Sequence, residues 1–195
     1  MRDLLSKLGV LLPGSVGKRI WDAEFKRGGW DYLFGLDELA HYMIIVGYVA
    51  HLTTMPRVLD VGCGNGRLFQ LIGRRTFKSY TGIDLSSEAI AQIDDSSTKE
   101  ATFAVADAST WEPPGSYDAI VFNEVLYYAK DPVAMLRRYA AHLSKDGGII
   151  ASMFDFPTTG RLWKKVDRAF ETVDATSVEN KNGRRWQVRL LRPKS

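Results

Sequence analysis

The chain alternates short apolar runs with segments of helical periodicity. Five runs, residues 58–61, 79–84, 102–106, 117–123 and 149–153, have the length and the apolar content of buried strands. Apolar positions spaced three or four residues apart fill much of the sequence between them. This strand and helix rhythm is typical of an α/β protein with a parallel sheet.

Residues that stabilise helix ends or favour turns mark the boundaries between these runs. Ser86 and Asp131 stand where an N-cap side chain accepts a backbone hydrogen bond, and Pro132 follows Asp131 at the first helical position. The Gly147-Gly148 pair predicts a turn before the fifth strand.

Beyond the fifth strand the pattern changes. Residues 160–170 have helical periodicity, residues 172–178 alternate like a strand, and Asn182-Gly183 is a hairpin signal ahead of residues 186–191. We therefore expect an antiparallel hairpin at this end of the sheet.

A glycine-rich turn follows the first strand directly. Gly62, Gly64 and Gly66 are spaced two apart, and an apolar-periodic segment begins at Leu68. Glycine allows positive φ and lets a ligand approach the backbone, and the first N–H groups of a helix are free to donate to it. We expect a ligand at this turn.

Glycine-rich turns between a strand and a helix serve several ligands. A phosphate-binding P-loop ends in Gly-Lys-Ser or Gly-Lys-Thr, whereas this turn ends in Gly66-Arg67-Leu68. The turn is therefore not a P-loop. A dinucleotide fingerprint has the spacing Gly-x-Gly-x-x-Gly, one residue longer than the spacing found here. NAD binding stays open as an alternative.

Two further strands end in a carboxylate, Asp84 and Asp107. Parallel strands deliver their carboxyl ends to one crevice, so both acids are expected beside the glycine turn. Asp84 lies about twenty residues after the turn, a spacing at which a carboxylate accepts hydrogen bonds from two ribose hydroxyls. An aspartate at a strand end can also serve only as a turn residue or cap.

Five segments in order along the chain resemble the motifs of class I S-adenosylmethionine-dependent methyltransferases of the small-molecule type. They are the glycine turn, Asp84, Asp107 with Ala108, residues 117–128 and residues 143–150, so the resemblance covers residues 57–152. It implies S-adenosylmethionine as the cofactor, with Asp107 and Ala108 holding the adenine. The cofactor-binding residues that it implies are Asp60, Gly62, Cys63, Gly64, Gly66, Asp84, Leu85, Asp107, Ala108 and Asn123.

The resemblance also implies a Rossmann-like, doubly wound α/β sheet with the strand order 3-2-1-4-5-7-6 and the last strand antiparallel. A chain of 195 residues that is 45% hydrophobic and 25% charged suits one globular domain with a sizeable core. We expect residues 1–52 to form a helical lead-in that caps a core of residues 53–195.

The implied reaction is methyl transfer to an oxygen or nitrogen of a small-molecule acceptor by in-line displacement. Alignment of the acceptor is essential, and a base is needed only where the acceptor must lose a proton. The candidate catalytic residues are Glu124, His41 and Tyr127, none of them fixed by a motif.

The aromatic lead-in and the fourth strand bear on the acceptor. In the lead-in, Asp37 and Glu38 begin a helix. The pocket candidates by resemblance are Trp30, Tyr32, His41 and Tyr42, for which ordinary packing of a flanking helix is the alternative. Residues 122–125 are Phe-Asn-Glu-Val, whereas nucleic-acid methyltransferases that act on exocyclic amines have Asn-Pro-Pro-Tyr there. This difference favours a small molecule.

Charge and cysteine content narrow the expected partners. The chain has 26 basic and 23 acidic residues, a net charge of +3, so nucleic-acid binding is not expected. The single cysteine, Cys63, excludes an internal disulfide.

We expect no metal site and a monomer or homodimer. One locally basic stretch is expected to be a solvated strand face: Lys181, Arg184, Arg185, Arg189, Arg192 and Lys194.

Residues 1–16 include six apolar positions between residues 4 and 12 but do not have the pattern of a signal peptide. Lys7 interrupts the run, Pro13-Gly14 ends it, and no cleavage pattern follows. A short helix that packs on the domain is expected instead, with no membrane contact and a cytoplasmic location.

Two other functions stay open on the sequence. A protein that binds S-adenosylmethionine without catalysis would keep the turn and the acids but transfer no label to any acceptor. An NAD-dependent oxidoreductase would bind NAD in preference to S-adenosylhomocysteine.

Overall fold

The structure is a computed structural model that describes residues 14–73, 76–94 and 98–194. The apolar segment at residues 1–13, for which a packed helix is predicted, lies outside the described residues.

Seven strands form one mixed sheet in the order β3-β2-β1-β4-β5-β7-β6. Strands β1 to β5 pair in parallel, and β7 runs antiparallel to both of its neighbours. The predicted strand order and the antiparallel last strand are confirmed. The strands are β1 (Arg57–Val61), β2 (Ser79–Asp84), β3 (Ala101–Val105), β4 (Tyr117–Asn123), β5 (Leu143–Phe154), β6 (Phe170–Glu179) and β7 (Arg185–Pro193).

The helices lie between the strands and ahead of β1. They are α1 (Gly14–Lys26), α2 (Leu36–Leu52), α3 (Arg67–Ile72), α4 (Ser87–Ile90), α5 (Pro132–Ala140) and α6 (Thr159–Ala169), with 3₁₀ turns at Asp31–Phe34 and Leu126–Tyr128. Both predicted caps are present: Ser86 Oγ accepts from the Ala89 N–H at 3.2 Å, and Asp131 Oδ1 accepts from the Ala134 N–H at 3.0 Å. None of the described helices is long and apolar enough to cross a membrane.

Alternate side chains of the strands bury both faces of the sheet. On one face Leu59 and Ile120 pack with Leu136 of α5 and Trp163 of α6. On the other face Val58, Val121 and Ile150 pack in a second cluster with side chains of α2 and α3. A fully buried side chain of this size contributes about 1.5–3 kcal/mol, so the sheet is anchored on both sides.

The predicted turn at Gly147-Gly148 is wrong, because both glycines lie inside β5. The pairing with β4 shifts register there: Tyr117 is opposite Leu143, and the next pair is Ala119 with Gly148. A Cβ on Gly148 would lie 2.7 Å from Leu190 Cδ1 of β7. A side chain at position 148 would therefore have to displace the end of the Leu190 side chain.

Candidate functional site

The glycine turn after β1 has the backbone conformation that only glycine adopts easily. Gly62, Gly64 and Gly66 have φ of 76°, 55° and 79°. A Cβ on Gly62 would lie 2.4 Å from Val125 Cγ2, and one on Gly64 would lie 3.5 Å from the ring of Phe25. Side chains from β4's end and from α1 thus contact the turn directly.

The N–H groups within the turn are engaged by the protein itself. The N–H groups of Gly62 and Cys63 both donate to the Ile83 carbonyl, at 2.8 and 2.9 Å. The Gly64 N–H donates to Asp84 Oδ2 at 2.9 Å. The turn therefore offers close approach to a ligand rather than free donors.

Asp84 ends β2 and holds the turn in place. Its Oδ2 accepts from Gly64, and its Oδ1 accepts from the Ser86 N–H at 2.8 Å. Burial raises the pKa of Asp84, while the N–H groups of Ser86, Gly64 and Leu85 act in the opposite direction. Each carboxylate oxygen can accept more than one hydrogen bond, so both keep capacity for hydroxyl donors.

Asp60 lies buried in β1, immediately before the turn. The Tyr80 hydroxyl donates to its Oδ2 at 2.5 Å, and its Oδ1 accepts no hydrogen bond from the residues that the structure describes. Burial raises the pKa of Asp60 to about 7; the bond from Tyr80 opposes this, and the charge of Asp84 adds to it. Asp60 therefore carries a proton below neutral pH.

Cys63 is buried within the turn, with 7% of its surface exposed. Burial raises the pKa of its thiol, and the charges of Asp60 and Asp84 raise it further. A thiol held in the protonated state is a poor nucleophile, which agrees with its interpretation as a small packing residue.

Asp107 and Ala108 follow β3 in a tight turn. Asp107 Oδ1 accepts from the Ser109 N–H at 2.8 Å, and the Asp107 carbonyl accepts from the Trp111 N–H at 2.9 Å. The Ala108 carbonyl accepts from the Tyr139 hydroxyl at 3.1 Å. Trp111 thus lies in the same turn as Asp107, and its side chain packs against the core cluster on one face of the sheet.

Glu124 follows β4 with a φ of 61°, the one positive value at a non-glycine residue in the described part of the chain. Its N–H donates to the Ser152 carbonyl at 2.9 Å, and the Tyr127 hydroxyl donates to its Oε2 at 2.6 Å. Left-handed backbone at such a residue is strained and is concentrated at functional sites. Next to it, Asn123 has a buried Oδ1 that accepts from no described residue.

His41 lies in the interior between α2 and β7, with 1% of its surface exposed. Its ring stacks on Trp186 at 4.8 Å and lies 4.6 Å from the Tyr42 ring, and Glu38 Oε2 is 3.9 Å from its Nδ1. Tyr42 is buried as well, and burial together with the charges of Asp60 and Glu124 raises its pKa. Both residues thus occupy packed positions rather than an open pocket wall.

A row of aromatic rings connects the Glu124 region to the glycine turn. Tyr127 contacts Tyr128 at 4.7 Å, Tyr128 contacts Trp21 of α1 at 5.1 Å, and Trp21 contacts Trp30 at 5.6 Å. Trp30 in turn stacks on Phe25 at 5.8 Å. The lead-in helix α1 therefore lies across the carboxyl edge of the sheet.

Sequence reasoning did not assign Phe25, Gln92 or Asn65 to the site. Gln92 Nε2 donates to the Phe25 carbonyl at 3.2 Å, and Asn65 Nδ2 donates to Gln92 Oε1 at 3.3 Å. These contacts join residues far apart in the chain, and no local pattern signals them.

Arginines of the basic stretch near the C-terminal end pair with acids: Arg185 bonds Glu179 at 2.6 Å and Arg189 bonds Asp167 at 2.6 Å. Arg185 is exposed, as expected of a solvated strand face. Arg189 has 15% of its side chain exposed, because its guanidinium lies 4.1 Å from the centre of the Trp163 ring. Among the described residues, no group of three or more His, Cys, Asp or Glu side chains is placed to bind a metal ion.

A parallel sheet with a positive-φ glycine turn after its first strand, and acids at the ends of the next two, defines a Rossmann-like cofactor-binding domain. Residues 17–192 match the family model of the methyltransferase domain. The chain belongs to this methyltransferase-domain family.

Individual relatives agree with this assignment. A ubiquinone biosynthesis O-methyltransferase of Xanthomonas campestris is 30% identical over 145 residues, which cover 71% of this chain and 57% of that protein. The chain thus spans a little over half the length of this relative.

Solved structures share the fold. The N-methyltransferase NodS of Bradyrhizobium japonicum, in complex with S-adenosylhomocysteine, superimposes with a TM-score of 0.74 at 17% identity, covering 89% of this chain and 99% of NodS. The [4+2]-cyclase SpnF superimposes with a TM-score of 0.66 at 17% identity, covering 80% of this chain and 82% of SpnF. The fold is therefore shared by proteins with different named reactions.

Proposed function

We propose that the protein transfers a methyl group from S-adenosylmethionine to an oxygen or nitrogen of a small-molecule acceptor. The observation that carries this proposal is the grouping of Gly62, Asp84 and Glu124 just beyond the carboxyl ends of β1, β2 and β4, which are adjacent strands. Val125, next to Glu124, reaches the glycine turn itself.

The residues present fit the cofactor. The glycine turn leaves room for close approach of the methionine part, and Asp84 has free lone pairs for two ribose hydroxyls. Asp107 and Ala108, with Trp111 beside them, would hold the adenine. S-adenosylmethionine supplies a sulfonium methyl group that is already a good electrophile. The other predicted contacts, from Asp60, Cys63, Gly66, Leu85 and Asn123, belong to the same proposal.

Glu124 is the proposed general base. When the acceptor oxygen or nitrogen takes the methyl carbon, the carbon–sulfur bond would break and leave its electron pair on the sulfur of S-adenosylhomocysteine. The proton of the acceptor O–H or N–H group would pass to a carboxylate oxygen of Glu124. The bond from the Tyr127 hydroxyl to Oε2 at 2.6 Å fixes the orientation of this carboxylate. Tyr127 is therefore a positioning residue, and His41, which is buried behind Tyr42, is the reserve candidate.

The acceptor is proposed to be small because α1 and the Leu126–Tyr128 turn enclose this edge with aromatic rings. Both oxygen and nitrogen remain in the proposal, since the relative from Xanthomonas is named an O-methyltransferase and the structural neighbour NodS an N-methyltransferase. The cytoplasmic location, the absence of a nucleic-acid partner and the monomeric or homodimeric state stay predictions.

Calorimetric titration with S-adenosylhomocysteine and, separately, with NAD tests the cofactor. We expect binding of the first and none of the second; the reverse result would replace the proposal by the oxidoreductase alternative.

A screen of phenols, carboxylic acids, amines and sugars with methyl-labelled S-adenosylmethionine tests the reaction. Because the cyclase SpnF shares this fold, a cofactor-binding protein without methyl transfer is the second candidate function. Cofactor binding without label transfer to any acceptor class would favour that candidate.

A further inference from the structure

The last turn of α5 holds the loop that follows β3. Both Nη groups of Arg138 donate to backbone carbonyls of this loop, one to Ala108 and the other to Ser109. The Tyr139 hydroxyl donates to the same Ala108 carbonyl at 3.1 Å. Two neighbouring side chains of α5 therefore fix the Ala108 carbonyl, and together they use both of its lone pairs. We call residues 106–111 the β3 loop.

One peptide group connects Arg138 to the carboxylate of Asp107. The Ala108 carbonyl belongs to the same peptide group as the Ser109 N–H, and that N–H donates to Asp107 Oδ1 at 2.8 Å. Because a peptide group is planar, fixing its carbonyl also fixes the direction of its N–H. Hydrogen bonds joined in a chain also polarise and strengthen one another. The guanidinium thus acts on the orientation of the carboxylate without touching it.

The preceding peptide group of the β3 loop is fixed as well. The Asp107 carbonyl accepts from the N–H groups of Thr110 and Trp111 at 3.0 and 2.9 Å. In a trans peptide the N–H points away from the carbonyl, so the Ala108 N–H is directed away from these donors. Neither the Ala108 N–H nor Asp107 Oδ2 has a hydrogen-bond partner in the part of the chain that the structure describes. These two groups are available to a ligand.

Arg138 is held chiefly by the β3 loop and by its own helix. Its guanidinium carbon lies 5.1 Å from the centre of the Tyr139 ring. The acid nearest to it is Glu112, whose Oε1 is 3.7 Å from Nη1 and whose side chain is 65% exposed, so this ion pair is weak. The orientation of the guanidinium is therefore set by the two loop carbonyls.

We propose that Arg138 is a positioning residue that sets the selectivity of the cofactor site for adenine. By fixing the peptide group between Ala108 and Ser109, it keeps Asp107 Oδ1 on the loop and leaves Oδ2 to accept from the exocyclic amino group of the base. This inference rests on the proposed function, which assigns the adenine to Asp107 and Ala108. Loss of Arg138 then weakens recognition of the amino group more than binding of the rest of the cofactor.

Calorimetry with two ligands tests the inference: S-adenosylhomocysteine, and its analogue with an unsubstituted purine, which lacks the amino group. A hydrogen bond to a charged acceptor is worth about tenfold or more in affinity, so the parent should prefer S-adenosylhomocysteine by at least about tenfold. In Arg138→Ala the dissociation constant for S-adenosylhomocysteine should rise at least about fivefold, and that for the analogue should stay within about twofold. A variant that was merely less stable would lose affinity for both ligands equally.

Three further variants make the test specific. Arg138→Lys keeps the charge and one donor, so its preference should fall between those of the parent and the alanine variant. Tyr139→Phe removes one bond to the Ala108 carbonyl and should lower the preference to a smaller extent. These two variants carry the same test if Arg138→Ala does not fold. Arg137→Ala is the matched control, because Arg137 is an exposed arginine of the same helix turn whose side chain bonds no described residue; its preference should equal that of the parent.

A double-mutant cycle with Asp107→Ala tests the route. Where the Asp107 carboxylate is already absent, Arg138→Ala should change the dissociation constant for S-adenosylhomocysteine by less than about twofold, because the group through which Arg138 acts has been removed. Additive effects of the two substitutions would show that Arg138 acts on binding by another route, and would overturn the inference.

The outcomes separate the two proposals. An unchanged preference in Arg138→Ala and Arg138→Lys, or an equal loss of affinity for both ligands, overturns the role of Arg138 and leaves the proposed function intact. A parent that binds both ligands equally well overturns this inference and the assignment of Asp107 to the adenine. No binding of S-adenosylhomocysteine by the parent overturns the proposed function and this inference together.

Discussion

Replacing Asp84 by alanine separates a ligand-binding role from a structural one. The carboxylate accepts hydrogen bonds from Gly64 and Ser86 at 2.9 and 2.8 Å, and hydrogen bonds to a charged group are worth about 1.5–3 kcal/mol each. The raised pKa shows that burial of the charge outweighs these bonds, but the substitution leaves the N–H groups of Gly64 and Ser86 without this acceptor, which costs about 1–3 kcal/mol. We therefore expect Asp84→Ala to lower the free energy of unfolding by about 1–3 kcal/mol.

Asp84→Ala should also weaken the binding of S-adenosylhomocysteine, by more than the loss of folding stability explains. If the carboxylate also accepts two ribose hydroxyls, its removal costs about 2–4 kcal/mol of binding free energy. The dissociation constant for S-adenosylhomocysteine should then rise about 30- to 1000-fold. Calorimetry at a temperature where the variant is folded, checked by urea unfolding, measures both quantities on the same preparation.

Asp118 provides a matched control at the opposite edge of the sheet. It lies near the amino end of β4, accepts from the Arg57 N–H at 2.8 Å and from Ser144 Oγ at 2.6 Å, and the bond from Arg57 lowers its pKa to about 2. Asp118→Ala should lose comparable stability and keep the affinity of the parent. A dissociation constant for Asp84→Ala within twofold of the parent would refute the assignment of Asp84.

Three other changes test neighbouring parts of the site. Gly64→Val forces a branched side chain into a backbone with a φ of 55° beside Phe25, at a stability cost of about 1–3 kcal/mol. Binding of S-adenosylhomocysteine, measured by calorimetry, should be lost. Binding as tight as that of the parent would exclude the turn as the cofactor site. Glu124→Gln should lower turnover about 100-fold or more on the true acceptor while calorimetry finds cofactor affinity within twofold; full turnover would move the base to His41. Because burial keeps a proton on Asp60 up to about pH 7, the folded parent binds more protons than the unfolded chain between about pH 4 and 7. The free energy of unfolding should therefore fall as the pH rises through that range. A pKa raised from 3.8 to about 7 corresponds to up to about 4 kcal/mol. Urea unfolding of Asp60→Asn should therefore show a smaller slope than the parent, with the slope from Asp84 remaining; an equal slope in both proteins would contradict the assignment.

The sequence predicts the parts of the fold that local patterns determine. The positions of the strands follow from the rhythm of apolar runs, whereas their order is implied by the family resemblance alone. The caps at Ser86 and Asp131 follow from hydrogen-bonding side chains at helix starts. The positive φ of the glycine turn likewise follows from its three glycines. Each of these features depends mainly on residues that are close together in the chain.

The rest depends on contacts between distant residues. Gly148 is predicted as a turn residue, but it lies in β5 because it pairs with Ala119 of β4. Asp22 lies 64 residues before Ser86, and no local pattern signals the hydrogen bond between their side chains. The raised pKa of Asp60 requires its burial and the position of Asp84, and the interior position of His41 requires Trp186 from the last strand. None of these can be read from spacing.

At Glu124 the left-handed backbone lowers the stability of the fold, while the side chain is the proposed base. A left-handed residue with a side chain costs about 1–2 kcal/mol relative to its ordinary conformation, and glycine escapes most of that cost. Selection for heat resistance alone would therefore favour glycine or asparagine at position 124 and discard the proposed base. In its proposed role as the base, Glu124 would therefore cost the protein folding stability in order to serve the reaction.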